Sequence, residues 1–125
     1  MGFAKVAELN HYPGPMHVLD LADGIGLTDD QRVQTQAAFD TMHARATRFG
    51  QELVDLERRL DDLMTAGKGD DQSVHDLIGQ IERVRGEVRF AHVQAHLRMK
   101  EILTADQVAQ YDQLRGYAHS HHHAH

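Results

Sequence analysis

Cysteine and tryptophan are both absent from the 125 residues, and proline occurs only at positions 13 and 15. The lack of cysteine excludes disulfides, thiolate metal sites and cysteine nucleophiles together. With so little proline, long stretches carry no helix breaker. No apolar run approaches the roughly 20 residues needed to cross a bilayer, so membrane insertion is not expected. The opening MGFAKVAELN has no basic start followed by an apolar stretch, so no secretory signal is read there. The formal charge of −6 argues against general attraction to nucleic acid or anionic lipid.

What is abundant is charge and histidine. Ten of the thirteen basic residues are arginine, which suits forked carboxylate contacts and stacking on apolar surface. Eleven histidines are present, five of them in the last seven residues, HSHHHAH. A chain of 14.1 kDa fits one domain with a modest core.

The pentapeptide LTDDQ at residues 27–31 returns as LTADQ at residues 103–107. Thr28 and Gln31, and again Thr104 and Gln107, have the spacing of a capping box, in which hydroxyl and amide each satisfy an otherwise orphaned N–H. Asp29, Asp30 and Asp106 add negative charge where the helix N-terminus favours it. The repeat therefore marks two helix starts. Between them, Phe39, Met42, Ala46, Phe49, Leu53, Leu56, Leu60 and Leu63 recur three and four apart, as do Val74, Leu77, Ile81, Val84, Val88, Ala91 and Ala95. Each series is a heptad seam, and Arg98 breaks the second before Ile102.

TAGKGDD joins the two seams and is too short for anything but a hairpin. Two long helices, about residues 28–66 and 71–102, are expected to lie antiparallel. Gly14 and Pro15 open a short helix that ends near Gly24, and Val108, Tyr111 and Leu114 give one apolar face to a last helix stopped by Gly116. The fold class read from the sequence is all-α, with four helices built around a long antiparallel helical hairpin. Residues 1–14 are an N-terminal extension, 15–116 the helical domain, and 117–125 a His-rich tail expected to be flexible.

Paired LTxxQ boxes, one opening a long helix and the other a short C-terminal one, resemble the bacterial periplasmic family that includes the chaperone Spy, the envelope-stress protein CpxP and related heavy-metal resistance proteins. ILTADQVAQYDQL carries most of the resemblance, which covers about residues 16–116. It implies a cradle-shaped homodimer acting without ATP or a catalytic centre. It also implies export to the periplasm, the signal having been removed, and partners that are unfolded client proteins or a membrane-bound stress regulator.

His92, His96 and Met99 are spaced by four and three, which puts them on one side of the second long helix. His43 takes the same heptad flank as His92 and Met99, and like flanks meet across an antiparallel pair. Three imidazoles and a thioether suit Cu, Zn or Ni rather than Mg or Ca. His17, in the short first helix, joins them if that helix folds over the open end of the hairpin. Metal sensors of the resembled family carry a histidine on the first helix and a histidine and a methionine late in the third; Met99 matches that pattern, while Ala95 stands where the family histidine falls. In the tail, His119, His121, His122, His123 and His125 form a tract suited to the same ions, and Ser120 and Ala124 interrupt it, unlike an unbroken purification tag.

Arginines flank both apolar seams. Arg45, Arg48, Arg85 and Arg89 are candidates for contact with unfolded clients, weighed against the ordinary solvated face of a coiled coil. Arg98 falls opposite Asp40, which predicts an ion pair. No Ser-His-Asp set, HExxH or phosphate loop is suggested by spacing, so the expectation is not an enzyme. The sequence thus supports two functions: a metal-binding resistance protein, and an ATP-independent chaperone with no functional metal site.

Overall fold

The computed structural model describes residues 4–116, and within them every regular element is a helix. The order is α1 (Lys5–Leu9), α2 (Pro15–Asp20), α3 (Asp29–Thr65), α4 (Asp71–Ile102) and α5 (Ala105–Arg115). The long hairpin is α3 against α4, about 55 and 48 Å at 1.5 Å per residue. Both seams end where caps dictate. Thr28 accepts from the Gln31 amide and Gln31 from the Thr28 amide; Asp70 and Ser73 do the same for α4. Gly67, at φ 67°, turns the chain out of α3 while its amide and that of Lys68 bond back to Met64 and Leu63.

Side-chain pairs across the hairpin lie close to the expected register. Arg45 donates to Gln94 at 2.6 Å and Arg85 to Glu57 at 3.1 Å. The α4 seam is well covered, with Leu77, Ile81, Val84, Val88, Ala91 and Ala95 all buried. By contrast, among the α3 seam residues only Leu56 is fully buried. Two helices cannot enclose both seams, so the α3 side stays half open.

The sequence pattern breaks at Arg98, and the break has a packing cause. After Ala95 the buried stripe steps four residues to Met99, which has no exposed surface, instead of three to Arg98. Arg98 lies outside and pairs with Glu101 at 2.9 Å on its own helix, not with Asp40. Asp40 instead accepts from Gln36. The shift turns α4 towards the other elements: Met99 joins Val18, Ala22, Ile25, Leu27, Leu103, Val108 and Tyr111 in a second core at the open end. The hairpin core of Leu56, Leu77, Ile81 and Val84 lies further along towards the turn.

The two LTxxQ boxes meet in this second core. Gln31 Nε2 donates to Gln107 Oε1 at 2.8 Å, and Gln107 Nε2 returns a bond to Gln31 Oε1 at 2.9 Å. Gln31 also donates to the Ile102 carbonyl and Gln107 to the Gly26 carbonyl. Each glutamine therefore caps its own helix and ties that start to the chain entering the other box.

Candidate functional site

Residues 4–14, read as an extension, contain α1 and fold onto the open end of the hairpin. Ala7 and Glu8 are buried there. Burying Glu8 demands partners, because an unpaired carboxylate in an apolar setting is costly. It has three: the Tyr111 hydroxyl donates to it, His96 Nδ1 lies 3.4 Å away and Arg115 Nε 3.6 Å. Burial and the adjacent Glu8 carboxylate together hold the Tyr111 phenol well above its ordinary pKa. The Gly14 amide donates to the same phenol oxygen at 3.4 Å. A side chain at Gly14 would collide with the His96 ring, since a Cβ there would lie 2.9 Å from Cε1.

His96 lies 2.7 Å through Nδ1 from the Tyr12 carbonyl. A carbonyl can only accept, so Nδ1 is the donor in this contact. His92 repeats the arrangement one turn earlier, with Nδ1 2.9 Å from the Val88 carbonyl. Two imidazoles four residues apart thus have their Nδ1 protons committed to backbone oxygens, which is how histidine ligands are oriented ahead of metal.

The other expected ligands are placed elsewhere. Met99 lies wholly inside the second core, for the packing reason given above. His43 is exposed and stacks on Phe39 of its own helix, ring centroids 5.8 Å apart. The short helix that carries His17, α2, does fold onto the hairpin, but His17 Nδ1 faces Arg115 Nη1 at 3.2 Å and therefore accepts a bond from a guanidinium. Among the described residues, no three of His, Asp or Glu come together as a group that could hold a metal, so His43, His92 and His96 do not converge. His119, His121, His122, His123 and His125 lie outside the described residues.

Of the four arginines, Arg45 and Arg85 are engaged across the hairpin, Arg85 also meeting Glu82 at 3.6 Å, and Arg48 lies 4.6 Å over the Phe49 ring; Arg89 is exposed. Arg45 and Arg98 bound a cleft of about 530 Å³ between α3 and α4, floored by Ala37, Ala38, Ala91 and Ala95. Small side chains leave the two helices with space between them at this level.

Sequence reasoning missed Glu8, His11, Tyr111 and Asp112 as a polar group. Leu114, expected on the buried face of α5, is exposed, and Asp112 is buried instead, where His11 Nδ1 bonds to it. No spacing rule links residues 11 and 112. The only sequence signal was a histidine and an acid each beside a helix end.

Among the described residues, no helix is long and apolar enough to cross a membrane. No curated protein and no solved structure matches the chain. The family described as heavy-metal resistance matches residues 10–110, which include both LTxxQ boxes and the whole hairpin. The chain belongs to that heavy-metal resistance family.

Proposed function

We propose that the protein serves heavy-metal resistance by binding a transition ion, Cu or Zn with Ni as a further candidate, through helix and tail histidines in the periplasm, without catalysing a reaction. The observation that carries this reading is the matched state of His92 and His96: both Nδ1 atoms are bonded to carbonyls, at 2.9 and 2.7 Å. Two imidazoles one helical turn apart, each held through Nδ1, are of the donor type that borderline metals prefer. The tail adds imidazoles of low geometric selectivity. Titrating Cu(II) and Zn(II) by calorimetry tests the reading, using the full chain and a chain in which the five tail histidines are alanine. The second protein is expected to keep a saturable site that His92→Ala with His96→Ala removes. Absence of heat from the tail-substituted protein would defeat the ordered helix site.

A second reading, an ATP-independent chaperone acting as a homodimer, is favoured by the half-open α3 seam and the cleft bounded by Arg45 and Arg98. Such a surface offers apolar contact beside fixed positive charge, which suits unfolded clients or a second copy. Light scattering of a reducing client with substoichiometric protein tests it; an unaltered trace contradicts it.

A further inference from the structure

His96 is one of the two imidazoles assigned to metal above, yet it is closed in by the chain that precedes α2. Its side chain is 12% exposed. The Tyr12 carbonyl accepts from Nδ1, and the buried Glu8 carboxylate lies 3.4 Å from the same nitrogen. The Gly14 backbone closes the Cε1–Nε2 edge: a Cβ there would stand 2.9 Å from Cε1 and 3.2 Å from Nε2. An ion held by Nε2 stands about 2 Å from it and brings further ligands with it. The space it needs is the space that residues 8–14 fill.

The fastening of that segment is mostly polar. α1 has five residues, far below the length at which a helix holds itself in water. Val6 and Leu9 are exposed, and the buried apolar side chains of residues 4–14 are only Ala4, Ala7 and Pro13. The rest of the hold comes from Glu8 on Tyr111 and Arg115, and from His11 on Asp112. Lys100 adds to it, donating to the His11 carbonyl at 3.1 Å and lying 4.5 Å over the Tyr12 ring. Such contacts replace contacts with water and contribute modestly each.

His11 also holds φ 69°, a conformation uncommon outside glycine that opening relaxes. Segments with little apolar burial open locally while the remaining fold stays intact. α2 keeps its own seat, because Val18 belongs to the second core.

We propose that residues 4–14 are a strap over His96, closed in the metal-free protein and displaced when a transition ion takes that imidazole, so that metal occupancy releases α1. The inference rests on His96 being a metal ligand, as proposed above. It goes further in making access to that ligand conditional on a movement of the chain. The apparent affinity is then the intrinsic one reduced by the fraction of molecules whose strap is open. Loosening the strap therefore tightens binding without touching a ligand, and metal in turn favours the open strap.

Two variants loosen it independently, both made in the chain whose five tail histidines are alanine. Glu8→Ala removes the central fastening, and Lys100→Ala, at an exposed position, removes another while leaving the buried carboxylate in place. Zn(II) calorimetry is one readout. The other, without metal, is carbethoxylation of His96 by diethyl pyrocarbonate followed by mass spectrometry, with His75, whose side chain is 85% exposed, as internal reference. Zn(II) affinity is expected to rise about tenfold or more in Glu8→Ala and about two- to tenfold in Lys100→Ala. His96 modification should accelerate in the same order, with His75 unchanged. In the parent, Zn(II) should speed hydrogen exchange of the α1 amides.

Zn(II) affinity that is equal or weaker in both variants overturns the strap, as does His96 modification no faster than in the parent, or α1 exchange that Zn(II) leaves unchanged or slows. Heat from these proteins would in those cases still uphold the helix metal site. Absence of heat from all three overturns the metal site and its gating together.

Discussion

Gln31 and Gln107, 76 positions apart, exchange two amide hydrogen bonds of 2.8 and 2.9 Å while each caps its own helix. The near-identity of the two pentapeptides thus has a physical cause. A threonine and a glutamine three residues later make a local cap, but two such caps placed face to face also make a tertiary joint. Only an amide, donor and acceptor in one group, can fill both roles at both ends.

The joint should therefore behave as a coupled pair. Gln107→Ala is expected to destabilise the fold by about 1–3 kcal/mol, because its partners Gln31 and Gly26 lose bonds in a part-buried place. Gln31→Ala should cost a similar amount, and the double substitution less than the sum. Chemical denaturation of the four proteins measures the coupling, and strict additivity would show that the two caps act separately.

Tyr111 gives the fold an alkaline limit. Its pKa is raised by burial and then by Glu8, so the folded chain keeps the phenol proton that the unfolded chain releases near pH 10. The phenol's contribution is fully present below that pH and is lost as pH rises above it. Stability should consequently fall above about pH 10 in the native protein and fall less steeply in Tyr111→Phe. The substitution should also cost about 1–3 kcal/mol at neutral pH, since it removes a donor from the buried Glu8. Denaturation midpoints between pH 7 and 11 give both numbers.

Met99 is a core residue before it is anything else. Met99→Ala should destabilise by about 2–5 kcal/mol through the cavity it leaves, while Met99→Leu should cost less than about 1.5 kcal/mol. Zn(II) affinity should be unchanged in Met99→Leu, because the thioether is enclosed among Val18, Ile25 and Tyr111. A loss of metal affinity in a fully folded Met99→Leu protein would contradict that placement.

The seam of α3 and its solvent-facing side give an internal contrast. Leu56 is buried in the hairpin core and Val33 is 70% exposed. Leu56→Ala should cost about 2–5 kcal/mol and Val33→Ala within about 0.5 kcal/mol. Thermal unfolding of the two variants measures the difference.

The hairpin was legible because its determinants are local and periodic. Caps at Thr28 and Thr104, glycines in the turn and spacing by three and four fixed α3, α4 and α5 closely. The site was less legible because its contacts join residues far apart in sequence: Glu8 to Tyr111, His11 to Asp112, Tyr12 to His96. α1 is five residues long, too short for periodicity to register, and its fold depends on Glu8 finding Tyr111 and Arg115. The heptad count also misled at Met99: a seam can step by four when a new core begins, and the sequence alone does not tell where the hairpin hands over to the five-helix end.

The central claim is that helix histidines bind metal through Nε2. Long-range proton–nitrogen NMR spectra of the imidazoles, recorded during Zn(II) titration of the chain with alanines for tail histidines, test it most directly. The account predicts that the Nε2 signals of His92 and His96 move together and saturate while both Nδ1 atoms stay protonated. Signals that remain at their metal-free positions throughout the titration would contradict it.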